Sequence, residues 1–394
     1  MSEPTSIPPQ SLSSQSTPPQ SIASSIAVKL IQRESITPED GGCQNYIEKL
    51  LAPLGFVRTA IDCNDITNSM YTRVGELNGT LAFAGHTDVV PTGPIEQWPH
   101  PPFAAVIEDG ILHGRGAQDM KGGVACWIAA VAGLCGEYTP LPSLQMLITS
   151  DEEGDSIDGT IRILEYMQEH DCLPDAAIIG EPSCAQQVGD TIRRGRRGVV
   201  QVRACFHGKQ GHSAYPQDAD NAIHHAAPAL ANIAAIDWGE AALGFPATSC
   251  QITNVQGGTG ATNVIPGSCA ALIDIRYNPA NDFESIQASI EAACADCKTT
   301  LGFDHVATAF STPDGPFLDL VCNSIQTITG LETLRDTGGG TSDGRFLAAA
   351  GIAVAELGTT NSTIHQVGEQ VAVAELDILT KIYSEIIENF EVQS

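Results

Sequence analysis

Between residues 22 and 198, strand-length apolar runs alternate with helix-length runs, and that alternation constrains the fold more than any other feature of the chain. Thr80 to Ala84, Leu144 to Thr149 and Ala176 to Ile179 are short and largely apolar. A strand covered on both faces needs such a run. Ile22 to Arg33, Cys43 to Leu54, Val124 to Cys135 and Thr160 to His170 read as helices. Strands separated by helices predict an α/β unit with a mixed, mostly parallel sheet flanked by helices.

The order changes after Gly198. Val199 to Phe206 predicts a strand with Val200, Val202, Ala204 and Phe206 on one face. Asn221 to Ile236 predicts a helix, with Ile223, Ala227, Leu230 and Ala234 at helical spacing. Ser249 to Val255 and Ala270 to Tyr277 read as strands. Asp282 to Cys297 reads as a helix with Phe283, Ile286 and Ile290 in phase, and His305 to Phe310 as a last strand. This βαββαβ order is that of a ferredoxin-like unit. After Pro313 the α/β style returns, with a strand over Ile352 to Leu357 and an amphipathic terminal helix over Leu376 to Phe390. The expected division is an extension over 1–21, a main domain in two parts (22–198 and 312–394) and an inserted unit over 199–311. A chain of 394 residues exceeds one small core, which also favours two domains.

Residues 1–21 are dominated by Ser, Pro and Gln and predict disorder. They have neither the basic n-region nor the apolar core of a secretory signal. No apolar stretch has the length of a membrane span. A net charge of −28 repels phosphates and argues against a nucleic-acid partner. Of the twelve cysteines, Cys294 and Cys297 form the one close pair, in a helix-like segment without a second pair to complete a zinc ribbon. Scattered cysteines without a signal peptide point to a reducing cytoplasm.

Five short segments carry the chemistry. His86 and Asp88 stand two apart at the end of the first apolar strand, so both project to one face. Asp119 sits in the Gly-rich stretch Gly114 to Gly123, before a helix. Asp151, Glu152 and Glu153 are three adjacent carboxylates directly after a strand, and they repel one another unless solvated or bound to a cation. Glu181 follows the strand Ala176 to Ile179, and His365 lies in a loop after Ile352 to Leu357. The carboxyl edge of an open α/β sheet is where sites form. Nitrogen and oxygen ligands without Cys suit zinc, cobalt or manganese. Two divalent ions bring +4 against −3 from Asp119, Glu153 and Glu181, and the remainder favours an ionised water nucleophile.

These stretches, with Gly195-Arg-Arg-Gly198, Gln210-Gly-His212, Ala214-Tyr-Pro216, Asn263 to Pro266 and Gly338 to Phe346, resemble the co-catalytic metallopeptidase family that includes aminoacylases and bacterial carboxypeptidases. The resemblance covers almost everything after the first 21 residues. It implies a di-zinc aminopeptidase-like catalytic domain, with the inserted unit serving dimerisation. It implies two divalent ions per subunit, Zn2+ with Co2+ as the alternative at one site. Asp119 would bridge them, His86 and Glu181 completing one site and Glu153 and His365 the other. Asp88 would orient His86, and Glu152 would be the general base. The resemblance also implies a cis peptide after Asp119, and a His212 that reaches a partner's site across a homodimer to stabilise the oxyanion.

Arg193, Arg194, Arg196 and Arg197 crowd five positions of a chain with only 19 basic residues. An acidic protein that binds an anionic substrate needs such local charge, and Arg suits carboxylates. By resemblance Arg196 and Arg276 are the substrate arginines, with Tyr215, Asn263, Gly340 and Thr341 nearby. Glycines 338–340 would let backbone approach the ligand. Val199 and Thr262 depart from close relatives near this presumed site. The reaction that the resemblance implies is hydrolysis of the amide of N-succinyl-LL-2,6-diaminopimelate, in lysine and diaminopimelate biosynthesis. The alternatives are another N-acyl-amino-acid deacylase, such as one acting on acetylornithine, and a non-catalytic binding protein on the same fold. No Gly-x-Ser-x-Gly elbow supports a serine hydrolase.

Overall fold

The computed structural model describes residues 21–136, 140–242 and 244–392. Of the expected extension over 1–21, all but Ser21 lies outside the described residues. Ser21 itself caps the first helix, Ile22–Ile31, by accepting the Ser24 N–H.

An eight-stranded mixed sheet forms the main body. Its centre is the strand Thr80–His86, parallel to Ser143–Thr149 on one side and to Ala176–Ile179 on the other. Ala353–Glu356 extends the parallel set beyond Ala176–Ile179. Ser69–Arg73 and Val57–Ala60 add an antiparallel edge. Alternation places Leu81 and Phe83 against one layer of helices and Ala82 and Ala84 against the other, and all four are buried. On the first face the helices Ile22–Ile31, Lys121–Cys135 and Val373–Asn389 pack together, and Phe83, Trp127 and Tyr383 form an aromatic cluster at 5.1–5.9 Å. Thr160–Glu169 and Gly344–Ala349 cover the second face. Gly123 brings the helix Lys121–Cys135 down onto the sheet edge, because a Cβ there would lie 2.5 Å from the Gly180 carbonyl oxygen.

The segment after Gly198 folds into a four-stranded antiparallel sheet in the order Ser249–Gly257, Ser268–Tyr277, Gly198–His207, Thr299–Ala307. The helices Ala222–Ala234 and Phe283–Ala293 share its core. Val200, Val202, Ala204 and Phe206 are buried together, and Ile286 and Ile290 meet them.

Two local expectations are corrected. The buried stripe of Ala222–Ala234 is Ala222, Ala226, Ala229 and Ile233, one position before the expected one. Ile223 is exposed. Small alanines let the helix lie close to the sheet, whereas Ile223 sits at its rim beside Gly257. The expected strand His305 to Phe310 is two elements. Thr299–Ala307 finishes the inserted sheet, and Phe310–Ser311 pairs with Gly195–Arg196. Phe310 is buried against the main body rather than in the inserted core. These two short strands therefore lie side by side where the chain leaves the main body and returns to it.

Candidate metal centre

The sheet topology brings the five chemical segments to one edge. His86 ends its strand and is fully buried. Its Nε2 lies 3.2 Å from Asp119 Oδ1 and 3.5 Å from Glu181 Oε1. His365 Nε2 lies 3.4 Å from Asp119 Oδ2 and 3.1 Å from Glu153 Oε1. Asp119 thus turns one carboxylate oxygen toward each imidazole. Three overlapping ligand sets converge here, His86–Asp119–Glu181, Asp119–Glu153–His365 and His86–Glu152–Glu153, and the first two share Asp119. Glu152 reaches the same space, with Oε2 4.0 Å from His86 Nε2.

Asp88 does not face this space in the same way. Its backbone oxygen is 2.9 Å from His86 Nδ1, and its carboxylate accepts the backbone N–H groups of Glu152 at 3.4 Å and Glu153 at 3.0 Å. It ties the His86 strand end to the acidic loop. Burial pushes its pKa up to about 6.

Glu369 was not singled out in the sequence. It is fully buried and receives four hydrogen bonds, from Arg115 Nη1 and the backbone N–H groups of Gly116, Gln118 and Asp119. Gln118 links the same loop to the His365 loop, since its Oε1 accepts the backbone N–H and the hydroxyl of Thr363. An isolated Glu after Gly368 carries no periodicity. Its nearness to His365 in sequence was the one available signal. The Asp119–Met120 peptide is cis.

Crowding governs the charge states. Burial pushes Glu152 well above the ordinary carboxylate range, and the Glu181 charge adds to it. Burial and the Asp119 charge bring Glu181 to about 7. Burial acts upward on Asp119 too, but hydrogen bonds to His365 and His86 outweigh it and lower its pKa. Burial depresses His86, yet Asp119 and Glu181 hold it well above its usual value. Hydrogen bonds to Asp119 and Glu153 raise His365 to about 10. Such a group of carboxylates is stabilised by cations. The imidazole–carboxylate separations match the roughly 3.3 Å edge of a tetrahedron with metal–ligand bonds of about 2.0 Å. These residues fit a pair of divalent ions.

A cavity of ≈ 400 Å³ opens over the cluster, and Arg193, Arg196, Arg276, Gly340, Thr341 and Asn361 line its other walls. The guanidinium of Arg196 is largely committed. Nε and Nη2 donate to the buried carboxylate of Glu356, and Nη1 donates to the Gly338 carbonyl at 3.0 Å. Gly339, in the left-handed region at φ +96°, packs against that guanidinium where a Cβ would collide. The glycines therefore admit Arg196. Arg193 is paired with Asp336, Arg194 with Asp314, and Arg276 with Asp274 at 2.8 Å. His212, Tyr215 and Asn263 do not line this cavity in their own chain. They sit together on the inserted unit, with Ser213 N–H donating to the Asn263 carbonyl at 2.9 Å and the His212 and Tyr215 rings 5.7 Å apart.

Residues 82–389 match the model of the peptidase family M20/M25/M40. The chain belongs to this family. Among M20 relatives, it is 44% identical over 372 residues to a succinyl-diaminopimelate desuccinylase of Hahella chejuensis, covering 93% of this chain and 96% of that protein. It is 43% identical over 367 residues to the corresponding enzyme of Halorhodospira halophila, covering 92% and 97%. An M20 metallo-carboxypeptidase of Sulfolobus solfataricus superposes with a TM-score of 0.78 at 18% identity, over 93% of this chain and 98% of that one. A dinuclear metal-binding M20 peptidase of Bacillus subtilis superposes at 0.68 with 16% identity, over 93% and 96%. The mixed α/β architecture is that of M20 structures.

Proposed function

We infer that this M20 chain is a metal-dependent amide hydrolase that cleaves N-succinyl-LL-2,6-diaminopimelate to succinate and LL-2,6-diaminopimelate. The observation that carries the reading is the position of Asp119, with one carboxylate oxygen toward His86 and the other toward His365. His86, Asp119 and Glu181 would hold one ion and Asp119, Glu153 and His365 the other, as Zn2+ or with Co2+ at one site. When bound, the ions supply Lewis acidity at the scissile carbonyl and the attacking water. Glu152 stands beside the cluster as the acid–base group. Its carboxylate takes the water proton and passes it to the departing amine.

The substrate carries three carboxylates, and the arginines of the cavity wall, each paired with a protein carboxylate, would meet them by exchanging partners. Arg276 lines that wall and pairs with Asp274 at 2.8 Å, and because both side chains are partly exposed the pair is the one that would exchange for a ligand carboxylate. Gly340 and Thr341 line the same wall. His212, Tyr215 and Asn263 would complete the site from the partner of a homodimer through the inserted unit, residues 199–311. Among the described residues no helix is long and apolar enough to cross a membrane. All twelve cysteines are free, which supports a cytoplasmic location.

Turnover of succinyl-diaminopimelate against acetylornithine by the zinc-loaded protein tests the reading. A large preference in kcat/KM for the succinyl substrate is expected. Equal or reversed preference assigns the chain to another acyl-amino-acid deacylase, and no turnover of either overturns the hydrolase reading.

A further inference from the structure

A second group of metal-ligand side chains lies apart from the Asp119 cluster. His100, Glu108 and His113 each present a ligand-type atom, and the three atoms lie within 4.8 Å of one another. They share no residue with the ligand sets described above.

The local chain explains the convergence. Val106–Glu108 and Ile111–His113 form a tight antiparallel hairpin, with Val106 opposite His113 and Glu108 opposite Ile111. Strand alternation puts Val106 and Glu108 on one face, and His113 stands on that face diagonal to Glu108. His100 comes from the preceding segment, between Pro99 and Pro101, whose rings fix the backbone on both sides of it. Its Nε2 lies 3.2 Å from Glu108 Oε2, the same tetrahedral edge found in the catalytic cluster. The His100 and His113 rings are 4.8 Å apart.

His113 Nδ1 is buried and has no hydrogen-bond partner. A buried imidazole nitrogen left in that state is costly and calls for an explanation. Burial, with the neighbouring His100, holds His113 below its usual pKa. A neutral ring is the form that binds metal.

We propose that His100, Glu108 and His113 form a mononuclear divalent transition-metal site, separate from the catalytic cluster and suited to Zn2+. Two imidazoles and one carboxylate supply three ligands, and water completes the tetrahedron on the solvent side. The ion pins the Trp98–Pro101 segment onto the hairpin. On its other edge the hairpin pairs with Gln370–Ala372, His113 opposite Gln370, and it runs directly into the loop that carries Asp119. The site therefore braces the platform from which both Asp119 and His365 project.

The test compares zinc content after chelator stripping and equilibrium dialysis at micromolar free zinc. The His100→Ala/His113→Ala double variant is expected to hold one ion fewer per chain than the wild type. Glu108→Gln changes only an exposed side chain, so it keeps the fold, and it is expected to weaken that one ion about tenfold or more. Circular dichroism of each variant shows whether the fold persists. If the double variant misfolds, the Glu108→Gln and His100→Ala single variants decide the matter. Zinc content equal to the wild type in the folded variants overturns the proposal, whatever number of ions the Asp119 cluster holds. In the Co2+-loaded protein, the difference spectrum between wild type and variant is expected to show tetrahedral d–d bands. A featureless difference spectrum also overturns it.

Discussion

Glu369 accepts the backbone N–H of Asp119 at 3.1 Å and that of Gln118 at 2.9 Å through a single carboxylate oxygen, while its other oxygen pairs with Arg115. A buried carboxylate that takes four donors sets the backbone of the whole 115–119 loop. The Asp119 side chain can then meet both imidazoles only in one orientation. Groups behind metal ligands typically account for 10–100-fold in metal affinity or activity. Glu369→Ala is therefore expected to weaken metal binding by about that factor and to lower kcat with it. It also strands buried Arg115, so the melting temperature falls. Chelator competition reads the first effect and thermal denaturation the second. Unchanged metal affinity in a folded variant would refute the positioning role.

Glu152 stands outside the two sets that share Asp119, His86–Asp119–Glu181 and Asp119–Glu153–His365, and meets His86 and Glu153 in a third. Removing its acid–base chemistry should leave those sets intact. Glu152→Gln is expected to lower kcat by roughly 10²–10⁴-fold with metal content unchanged. Metal analysis beside steady-state kinetics checks both halves. A variant with full activity sinks the base assignment, and one that has lost metal makes Glu152 a ligand instead.

The sequence exposes residues whose position has a period or an edge. His86, Glu153, Glu181 and His365 stand at or soon after strand ends, and the apolar runs before them are the strongest signals in the chain. The strand Ala176–Ile179 is found with its observed boundaries. What escapes notice depends on distant partners. Arg196 reads as one of a substrate-binding cluster, because its partner Glu356 lies 160 positions away. Glu369 has no pattern of its own and gains meaning only from the Gly116–Asp119 N–H groups. The helix Ala222–Ala234 carries two stripes at equal spacing, and large Ile223 and Leu230 draw attention from the alanines that face the sheet. Periodicity gives the spacing of a buried face, while packing distance selects its phase.

The arginines of the cavity wall separate by the same logic. Arg196 is buried and hydrogen-bonded to Glu356, whose Oε1 in turn accepts the Ser342 hydroxyl. Breaking one side of a buried pair typically costs about 3–5 kcal/mol. Arg196→Ala is expected to lower stability on that scale, with activity lost through the fold of the cavity wall. Arg276 is a third exposed and pairs with Asp274, which is a quarter exposed, so Arg276→Ala is expected to leave stability within about 0.5–1 kcal/mol of the wild type. Its effect appears instead as a raised KM for the succinyl substrate, larger than for an acetyl analogue. Denaturant melts and paired substrate kinetics distinguish the two. A folded, stable Arg196→Ala with an altered KM alone would return that residue to the substrate-binding role.

His212 accepts the Ala214 backbone N–H through Nδ1 at 3.1 Å and projects from the inserted unit, outside the cavity of its own chain. A histidine that acts in a partner's site must be separable from the metal ligands of its own subunit. His212→Ala is expected to lose most activity as a homodimer, because an oxyanion donor is worth roughly 10²–10³ in kcat. On the proposed homodimer, Glu152→Gln is expected to be inactive as well. In a mixed dimer, one of the two sites combines an intact Glu152 with an intact His212 from the other subunit. Co-expression with two affinity tags isolates that heterodimer, and its activity is expected to recover toward half of the wild-type value per dimer. Persistent inactivity in verified heterodimers would place His212 within its own subunit's chemistry or outside the reaction altogether.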